Sequence, residues 1–467
     1  MAFLRSLFTA QDMTEGSIWG KLAAFSIPLL IGNIVQQLYN TVDSIVVGQY
    51  VGDVALAAVG SAFPIIMLIL VLFMGVSTGA SIMVAQYYGA KDRKTLSKTI
   101  GSTISLMLIS SVIVMIVGPL VTRPLLLLLQ TPVEVLELCE DYLIIIFIGI
   151  AGMVLYNGVS GILRGMGDAL VPLLILFFAC MLNIALDLLF VAVFGWGVAG
   201  AAWATVVAQL LSSVLCFMRL SRLKDIVDLN LGMLKPDKAL CLQIGKLGLP
   251  AALTQMIFSL ANIVVQSLIN SFGTEFIACS AIVMRVDGFA MMPNFTFGMA
   301  MATFVGQNIG AGKMDRVKQG VKSGMIMGVS VSTVMVVSML FFGKALMRVF
   351  TSTASLIEYS NSMLRVLAVG YISMAVMQIL SGVMRGAGDT MSPMWISLAT
   401  TVFLRTPLAY LMAYLTRSPE YPNGRPEIVF ISLLVAWVIG AVLSVIFYRM
   451  GKWKSKSVVS TEVVTQE

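Results

Sequence analysis

The sequence predicts an all-α membrane protein with twelve transmembrane helices in two six-helix lobes, related by a pseudo-twofold axis along the membrane normal. Three observations predict it: the composition, a series of long apolar segments and an internal repeat. Of 467 residues, 58% are hydrophobic and only 11% are charged, and the mean hydropathy is +0.95. Soluble globular proteins carry about a quarter charged residues. The composition therefore excludes an ordinary soluble enzyme and a disordered chain.

The apolar segments are long enough to cross a bilayer as helices, which takes about 20 residues each. They are too long and uniform for the alternating strands of a membrane barrel. Twelve such segments are present, at about 19–48, 55–84, 97–118, 137–162, 168–194, 198–220, 242–270, 276–304, 319–342, 359–384, 393–416 and 427–449.

Lysine and arginine indicate the orientation, because cytoplasmic loops of membrane proteins are enriched in both. With the N-terminus and its Arg5 inside, 22 of the 30 basic residues fall on the inner side, 5 in outer loops and 3 within spans. Both termini are thus predicted to be cytoplasmic, in a multi-pass protein of the cell (inner) membrane. The net charge of +7 is interpreted as this orientation signal rather than as nucleic-acid binding, because long apolar runs separate the basic residues.

The two halves of the chain repeat each other. SGILRGMGDALVP at 160–172 returns as SGVMRGAGDTMSP at 381–393, and AQYYGAKDR at 85–93 returns as GQNIGAGKMDR at 306–316. Six helices separate the copies, so both halves share one orientation and enclose a cavity between two lobes, an architecture found mainly in transporters. The predicted division is an N-terminal lobe at 1–220, a cytoplasmic linker at 221–240, a C-terminal lobe at 241–450 and a cytoplasmic tail at 451–467.

The repeated RGxGD turns are given a structural role, in which glycines allow a tight turn and Asp168 or Asp389 caps the following helix. Pro28 and Pro250, at equivalent places in the first and seventh helices, are expected to bend them. Catalytic and metal sites are not expected, because the chain lacks histidine, CxxC spacings and a GxxxxGK[ST] motif.

Three acidic residues fall deep within predicted spans: Asp43, Asp187 and Asp287. A carboxylate at the middle of a membrane helix costs about 2.5–3.5 kcal/mol on insertion scales. Each should therefore face a cavity or a partner, where it can bind and release a proton. For Asp287 we expect a structural ion pair, and Arg405 in the eleventh segment is the better placed partner.

Asp43 and Asp187 each continue a polar helix face. The first helix carries polar side chains three or four residues apart, which are Gln36, Tyr39, Asn40 and Asp43. Asn183 and Asp187 lie one turn apart on the fifth helix, so two polar faces in one lobe predict a small polar pocket. The alternative is that these groups only hydrogen-bond neighbouring helices, for which an amide would suffice. The ionisable groups favour function.

The second lobe has a polar stripe without an acid, consisting of Gln255, Ser259, Asn262 and Gln266. Ion coupling is therefore expected in the first lobe. Asn262 and Gln266, together with Gln36, Tyr39 and Asn40 of the first lobe, are candidates to meet substrate. Phe289, Met291 and Met292 are candidates to line the same cavity, because methionine makes adaptable apolar surfaces, although most such residues only pack or face lipid.

Taken together, these features resemble the multidrug and toxic compound extrusion (MATE) family over residues 19–450. The resemblance rests on the twelve helices, the duplicated RGxGD turns, the Q-x-x-GA segments (Gln86–Ala90, Gln307–Ala311) and Pro28. In the prokaryotic branch named for DNA-damage induction, Asp43, Asn183 and Asp187 would match the proton or sodium site. Three further positions resemble its hydrogen-bonding partners, namely Tyr142, Asn157 and Thr205. The acids that other branches carry in the seventh and tenth helices are absent from this sequence.

The resemblance implies a secondary active antiporter that exports organic, often cationic, amphipathic compounds. Inward movement of H⁺ or Na⁺ would drive export by alternating access, and the transported ion would stand in place of a cofactor. The alternative is a flippase of lipid-linked sugars from the same superfamily, which tends to line its cavity with basic residues. A channel fits paired buried acids poorly. The expected partners are small molecules and membrane lipids, not nucleic acid, and the expected state is a monomer.

Overall fold

The structure, a computed structural model, describes residues 10–228 and 231–459. Within these ranges the chain forms α-helices, two π-helical stretches (Leu188–Val193 and Leu398–Arg405) and two short 3₁₀-helices (Leu231–Leu234 and Lys452–Ser455), with no β-strand. Arg5 and residues 460–467 of the predicted tail lie outside the described residues. The helices are α1 Ile18–Tyr50, α2 Asp53–Gly89, α3 Arg93–Leu128, α4 Val133–Ile148, α5 Ile150–Gly165, α6 Leu170–Asp187, α7 Gly197–Ser221, α8 Lys238–Asn270, α9 Thr274–Gly310, α10 Met314–Arg348, α11 Ala354–Ala368, α12 Gly370–Gly386, α13 Met391–Ser397, α14 Thr406–Leu415 and α15 Ile428–Met450.

The helices give up to twelve membrane spans, which confirms the predicted fold class. In the described ranges, ten helical segments are long and apolar enough to cross a membrane. Two bent pairs complete the set, α4 with α5 at 52° and α11 with α12 at 43°. The sequence predicts one uninterrupted fourth segment, whereas the structure breaks it at Gly149. A side chain there would overlap Val206 of α7. The bend therefore lies where the chain packs closely against α7.

The chain divides into two compact units. The first comprises the described residues up to Met13 together with Ala23–Ala252, and the second comprises Thr14–Leu22 and the described residues from Leu253 onward. The predicted lobe boundaries at 220 and 240 stay a prediction. Pro28 lies inside α1 and Pro250 inside α8.

Glycines of the repeated motif lie where two helix backbones pack closely against each other. In the first unit, a Cβ at Gly165 would lie 2.7 Å from the carbonyl oxygen of Ser81 on α2. In the second unit, a Cβ at Gly382 or Gly386 of α12 would overlap the carbonyl oxygens of Gly298 and Ala302 on α9. Small residues four apart let helix backbones approach in this way. The segment before each RGxGD turn is therefore a helix-packing surface.

The RGxGD turns then start the next helix. Gly167 and Gly388 have φ angles of +87° and +94°, the left-handed region that glycine adopts without strain. The Val171 amide donates to Asp168 at 3.2 Å, and the Ser392 amide donates to Asp389 at 3.1 Å. Each aspartate thus accepts a hydrogen bond from an amide in the first turn of the following helix.

Asp168 has a second role that its counterpart lacks among the described residues. Arg219, near the end of α7, donates to Asp168 Oδ2 at 2.8 Å from Nη2 and 3.0 Å from Nε. The side chain of Asp168 is 1% exposed and that of Arg219 is 21% exposed. Burial raises the pKa of Asp168, and the charge and hydrogen bonds of Arg219 offset part of that rise. The ion pair ties the turn to α7.

We expect Asp168→Ala to destabilise the protein more than Asp389→Ala. Loss of a helix cap costs about 1 kcal/mol, and both variants lose one. Asp168→Ala also leaves a mostly buried arginine without its carboxylate, for which about 3 kcal/mol is the usual order. Apparent melting temperatures of the two purified variants would show the difference. Equal shifts would contradict a structural contribution of the ion pair.

Candidate functional site

Asp43 and Asp187 lie in the first unit and are both buried inside membrane-spanning helices. Asp43 on α1 is 8% exposed, and Asp187 at the end of α6 is fully buried. Asp187 directly precedes a π-helical stretch, Leu188–Val193. Such stretches shift the register of a helix and often occur at functional sites. The helix thus changes its geometry at the residue that carries the acid.

The two carboxyl groups are close enough to interact strongly with each other. Even so, both oxygens of Asp187 and Oδ1 of Asp43 have no hydrogen-bond partner in the structure. Two ionised carboxylates are acceptors only, so neither can satisfy the other. Burying unpaired charges of one sign is costly. The pair therefore needs a positive charge between its oxygens, which a shared proton or a bound cation would provide.

Other oxygen-bearing side chains surround the pair. Asn183, one turn before Asp187, is fully buried; its amide nitrogen lies 3.5 Å from Thr205 Oγ1 and its Oδ1 has no partner. The hydroxyls of Tyr39 and Tyr142, both buried, interact electrostatically with the two acids. The structure thus brings five of the predicted residues to Asp43: Asp187, Asn183, Thr205, Tyr39 and Tyr142.

Gln209 is a residue of this pocket that the sequence analysis missed. It is 5% exposed, lies one turn after Thr205 on α7 and approaches the hydroxyl of Tyr39. The i, i+4 spacing of Thr205 and Gln209 on α7 is the signal that could have identified it.

Three predicted residues lie apart from the acidic pair. Asn157 donates to the carbonyl oxygen of Met153 on its own helix at 2.8 Å, and among the described residues no hydrogen bond joins it to either acid. Gln36 is partly exposed and Asn40 is exposed, on the same helix as Asp43. The last two have the exposure expected of side chains that meet substrate, and that role stays a prediction.

The candidate substrate residues of the second unit differ in burial. Asn262, Gln266 and Phe289 are exposed, Met292 is partly exposed and Met291 is buried. Two of the exposed side chains have hydrogen bonds. Gln266 donates to Asn270 Oδ1 at 2.9 Å, and Asn262 Oδ1 accepts from Arg405 Nη1 at 2.9 Å.

The expected direct ion pair between Asp287 and Arg405 is not formed. The ion pairs within 4.0 Å among the described residues do not include it. Instead the Tyr371 hydroxyl donates to Asp287 Oδ1 at 2.8 Å, and the guanidinium of Arg405 is engaged by Asn262. The two charges still interact at longer range. The direct hydrogen-bond donor to this carboxylate is therefore a tyrosine from α12. Helix spacing in the sequence could not reveal this contact, because the two residues lie on different helices.

Comparison with known proteins identifies the family. The family model described as MatE matches residues 28–189 and 250–411, two matches that begin at Pro28 and at Pro250. The chain belongs to the MatE family. It is a multi-pass membrane transporter, and the paired matches correspond to the duplication that the sequence repeat predicts. The first match contains the acidic pair.

Individual relatives of this MatE protein cover nearly the whole chain. A probable multidrug resistance protein of Bacillus subtilis, YoeA, is 28% identical over 96% of this chain and 97% of its own length. A solved MATE structure in a bent conformation is 25% identical, with a TM-score of 0.88 over 96% of this chain and 98% of that chain. An outward-facing multidrug resistance MATE family transporter of the MOP superfamily is 25% identical, with a TM-score of 0.86 over 95% and 98% of the two chains.

Proposed function

We propose that this MatE protein exports amphipathic, often cationic, organic compounds by antiport against H⁺ or Na⁺. The observation that carries the proposal is the buried Asp43–Asp187 pair, in which Oδ1 of Asp43 and both carboxyl oxygens of Asp187 lack hydrogen-bond partners. A transporter without ion coupling has no need of two facing acids, because amides would satisfy neighbouring helices at lower cost. The naming of YoeA as a probable multidrug resistance protein supports the substrate class.

In this mechanism the cation binds between the two carboxyl groups and removes their repulsion. Neutralising the pair changes how α1 packs against α6 and α7, because Tyr39, on the same helix as Asp43, contacts α7. Pro28 gives α1 a point at which it can bend, since proline removes one backbone hydrogen bond. Relatives have been solved in a bent and in a straight conformation, which supports a change of shape during transport. Movement of α1 alternately opens the protein inward and outward.

Either ion suits the chemistry of the pocket. A proton would be shared by Asp43 and Asp187, which titrate together as a pair. Sodium would instead take the oxygens without partners on Asp43, Asp187 and Asn183, because a hard cation prefers oxygen ligands. In both cases the ion is cargo and the protein needs no further cofactor. We propose a monomer in the cell (inner) membrane, with both termini cytoplasmic and without a nucleic-acid partner.

Transport by purified protein in liposomes tests the proposal. A pH gradient alone and a sodium gradient alone are imposed in separate experiments. We expect the protein to concentrate ethidium against its gradient under one of the two, and the gradient that drives accumulation identifies the coupling ion. Empty liposomes provide the control. Movement of lipid-linked sugars without either gradient, and no effect on dyes, would support the flippase instead.

A further inference from the structure

The second unit contains an open cavity of about 510 Å³ where α1 and α10 begin. Both helices start on the side of the membrane that the distribution of lysine and arginine predicts to be cytoplasmic. The residues that line it belong to two stretches, 16–19 and 316–326: Gly16, Ile18, Trp19, Arg316, Gln319, Lys322, Ser323 and Ile326. No residue of the acidic pocket is among them.

The α10 side of the cavity changes in character along the helix. Arg316, Gln319 and Lys322 come first, followed by Ser323 and Ile326, at spacings that put them on one helix face. At 1.5 Å per residue, Arg316 and Ile326 are about 15 Å apart along the helix axis. Cationic and amide groups thus lie at the membrane edge and an apolar group lies deeper. A phospholipid has the same order, with phosphate outside and acyl chain inside.

Trp19 and Lys322 are exposed side chains of the types that are common at a membrane surface. Trp19 is 48% exposed, and tryptophan is enriched at the level of lipid headgroups. Lys322 is exposed, and its long side chain can reach toward the headgroups while its stem stays on apolar surface. Ile326 is 45% exposed, so the deeper part of the cavity offers an apolar contact.

Arg316 is held in place beside this cavity. Its Nη2 donates to the carbonyl oxygen of Glu15 at 3.0 Å, and its guanidinium lies 5.8 Å from the ring of Phe304. Of the acids nearby, Asp315 pairs with Lys318 at 2.8 Å, and Glu15 lies 3.9 Å from Lys313. A fixed arginine and a flexible lysine then share one wall, and both bind phosphate oxygens.

The internal repeat allows the start of α10 to be compared with the equivalent position in the first unit, the start of α3. Arg93 corresponds to Arg316 in the repeated segment, and it forms an ion pair with Asp228 of the linker. The linker also covers the start of α3, because Ser97 and Ser102 accept the amides of Asp228 and Asp237. In the first unit, a carboxylate of the linker, Asp228, thus pairs with the arginine at this position. At the start of α10 the short stretch 14–19 leaves a cavity.

We propose that this cavity binds the headgroup of an anionic phospholipid, with its phosphate at Arg316 and Lys322 and an acyl chain along Ile326 and Trp19. Basic pockets between membrane helices bind acidic headgroups in this way. The site lies on the membrane side that is rich in lysine and arginine. It is separate from the coupling pocket and does not depend on the proposed antiport.

Native mass spectrometry of the full-length protein in detergent, titrated with phosphatidylglycerol and with phosphatidylcholine, tests the site. We expect one phosphatidylglycerol to bind more tightly than phosphatidylcholine. Lys322→Gln should weaken that binding about fivefold, since each basic residue near acidic lipid contributes about 1 kcal/mol. Lys456→Gln, an exposed lysine that is not among the residues lining the cavity, is the control and should change nothing.

Two further measurements identify the ligand. Ile326→Glu, at the apolar end, should also weaken phosphatidylglycerol binding, because a carboxylate repels the lipid but lies far from a free phosphate. Inorganic phosphate at millimolar concentration should leave the bound lipid in place. Equal affinity for both lipids, equal losses in Lys322→Gln and Lys456→Gln, or displacement by inorganic phosphate would each overturn the proposal.

Discussion

Asp187→Asn and Asp43→Asn are each expected to reduce ion-driven export to the level of protein-free liposomes. An amide has nearly the volume of a carboxyl group but cannot bind and release a proton, and it contributes no negative charge to a sodium site. Folding should be retained, because an asparagine can donate to the remaining carboxylate and so satisfy oxygens that lack partners in the native pair. Ethidium accumulation under an imposed gradient measures the effect.

Asp287→Asn is the matched control for these variants. Asp287 is also an acid within a span and is partly buried, but it accepts a hydrogen bond from Tyr371 and lies in the second unit. The variant should retain gradient-driven export while changing stability. Asn183→Ala should weaken export without abolishing it, since one of several oxygens is removed. If both Asp43→Asn and Asp187→Asn still concentrate ethidium, the coupling site is not at this pair.

Gly382→Leu is expected to have the largest effect on stability. A Cβ at Gly382 would overlap the backbone carbonyl of Gly298, and backbone cannot move aside without separating α9 from α12. Overpacking a well-packed site typically costs about 1–3 kcal/mol, and we expect a loss at the upper end of this range or above. The apparent melting temperature and the yield of folded protein in detergent measure the loss.

Gly288→Leu provides the comparison, because it makes the same change on α9. A Cβ at Gly288 meets no atom within 4 Å, so this variant should retain nearly native stability. Gly161→Leu, the counterpart of Gly382 in the first unit, should be less harmful than Gly382→Leu, since the atom that a Cβ there would overlap is the Ser77 hydroxyl oxygen, which can rotate away. Equal melting temperatures for Gly382→Leu and Gly288→Leu would contradict the role of this helix contact.

Much of the pocket around Asp43 and Asp187 could be predicted from the sequence. A charged residue within a span is costly, so Asp43 and Asp187 stand out without any structure. Helical spacing then assigns Tyr39 to the face of Asp43, and Asn183 to that of Asp187. Gln209 was missed because an amide in a helix is a weaker signal than an acid. The tyrosine that donates to Asp287 was missed because tyrosine, arginine and asparagine can all satisfy a polar group, and spacing does not rank them.

By itself, the sequence determined the spans, the repeat and the side chains that share each helix face. These follow from local rules, because a bilayer requires about 20 apolar residues per helix and the helical period fixes each face. Only the tertiary structure decided the break at Gly149, the π-helical stretch after Asp187 and the pairing of α12 with α9. Each of these depends on contacts between residues far apart in the chain, such as Gly149 with Val206 or Gly382 with Gly298. Since apolar surface packs without direction, close contacts of small residues select which helices meet.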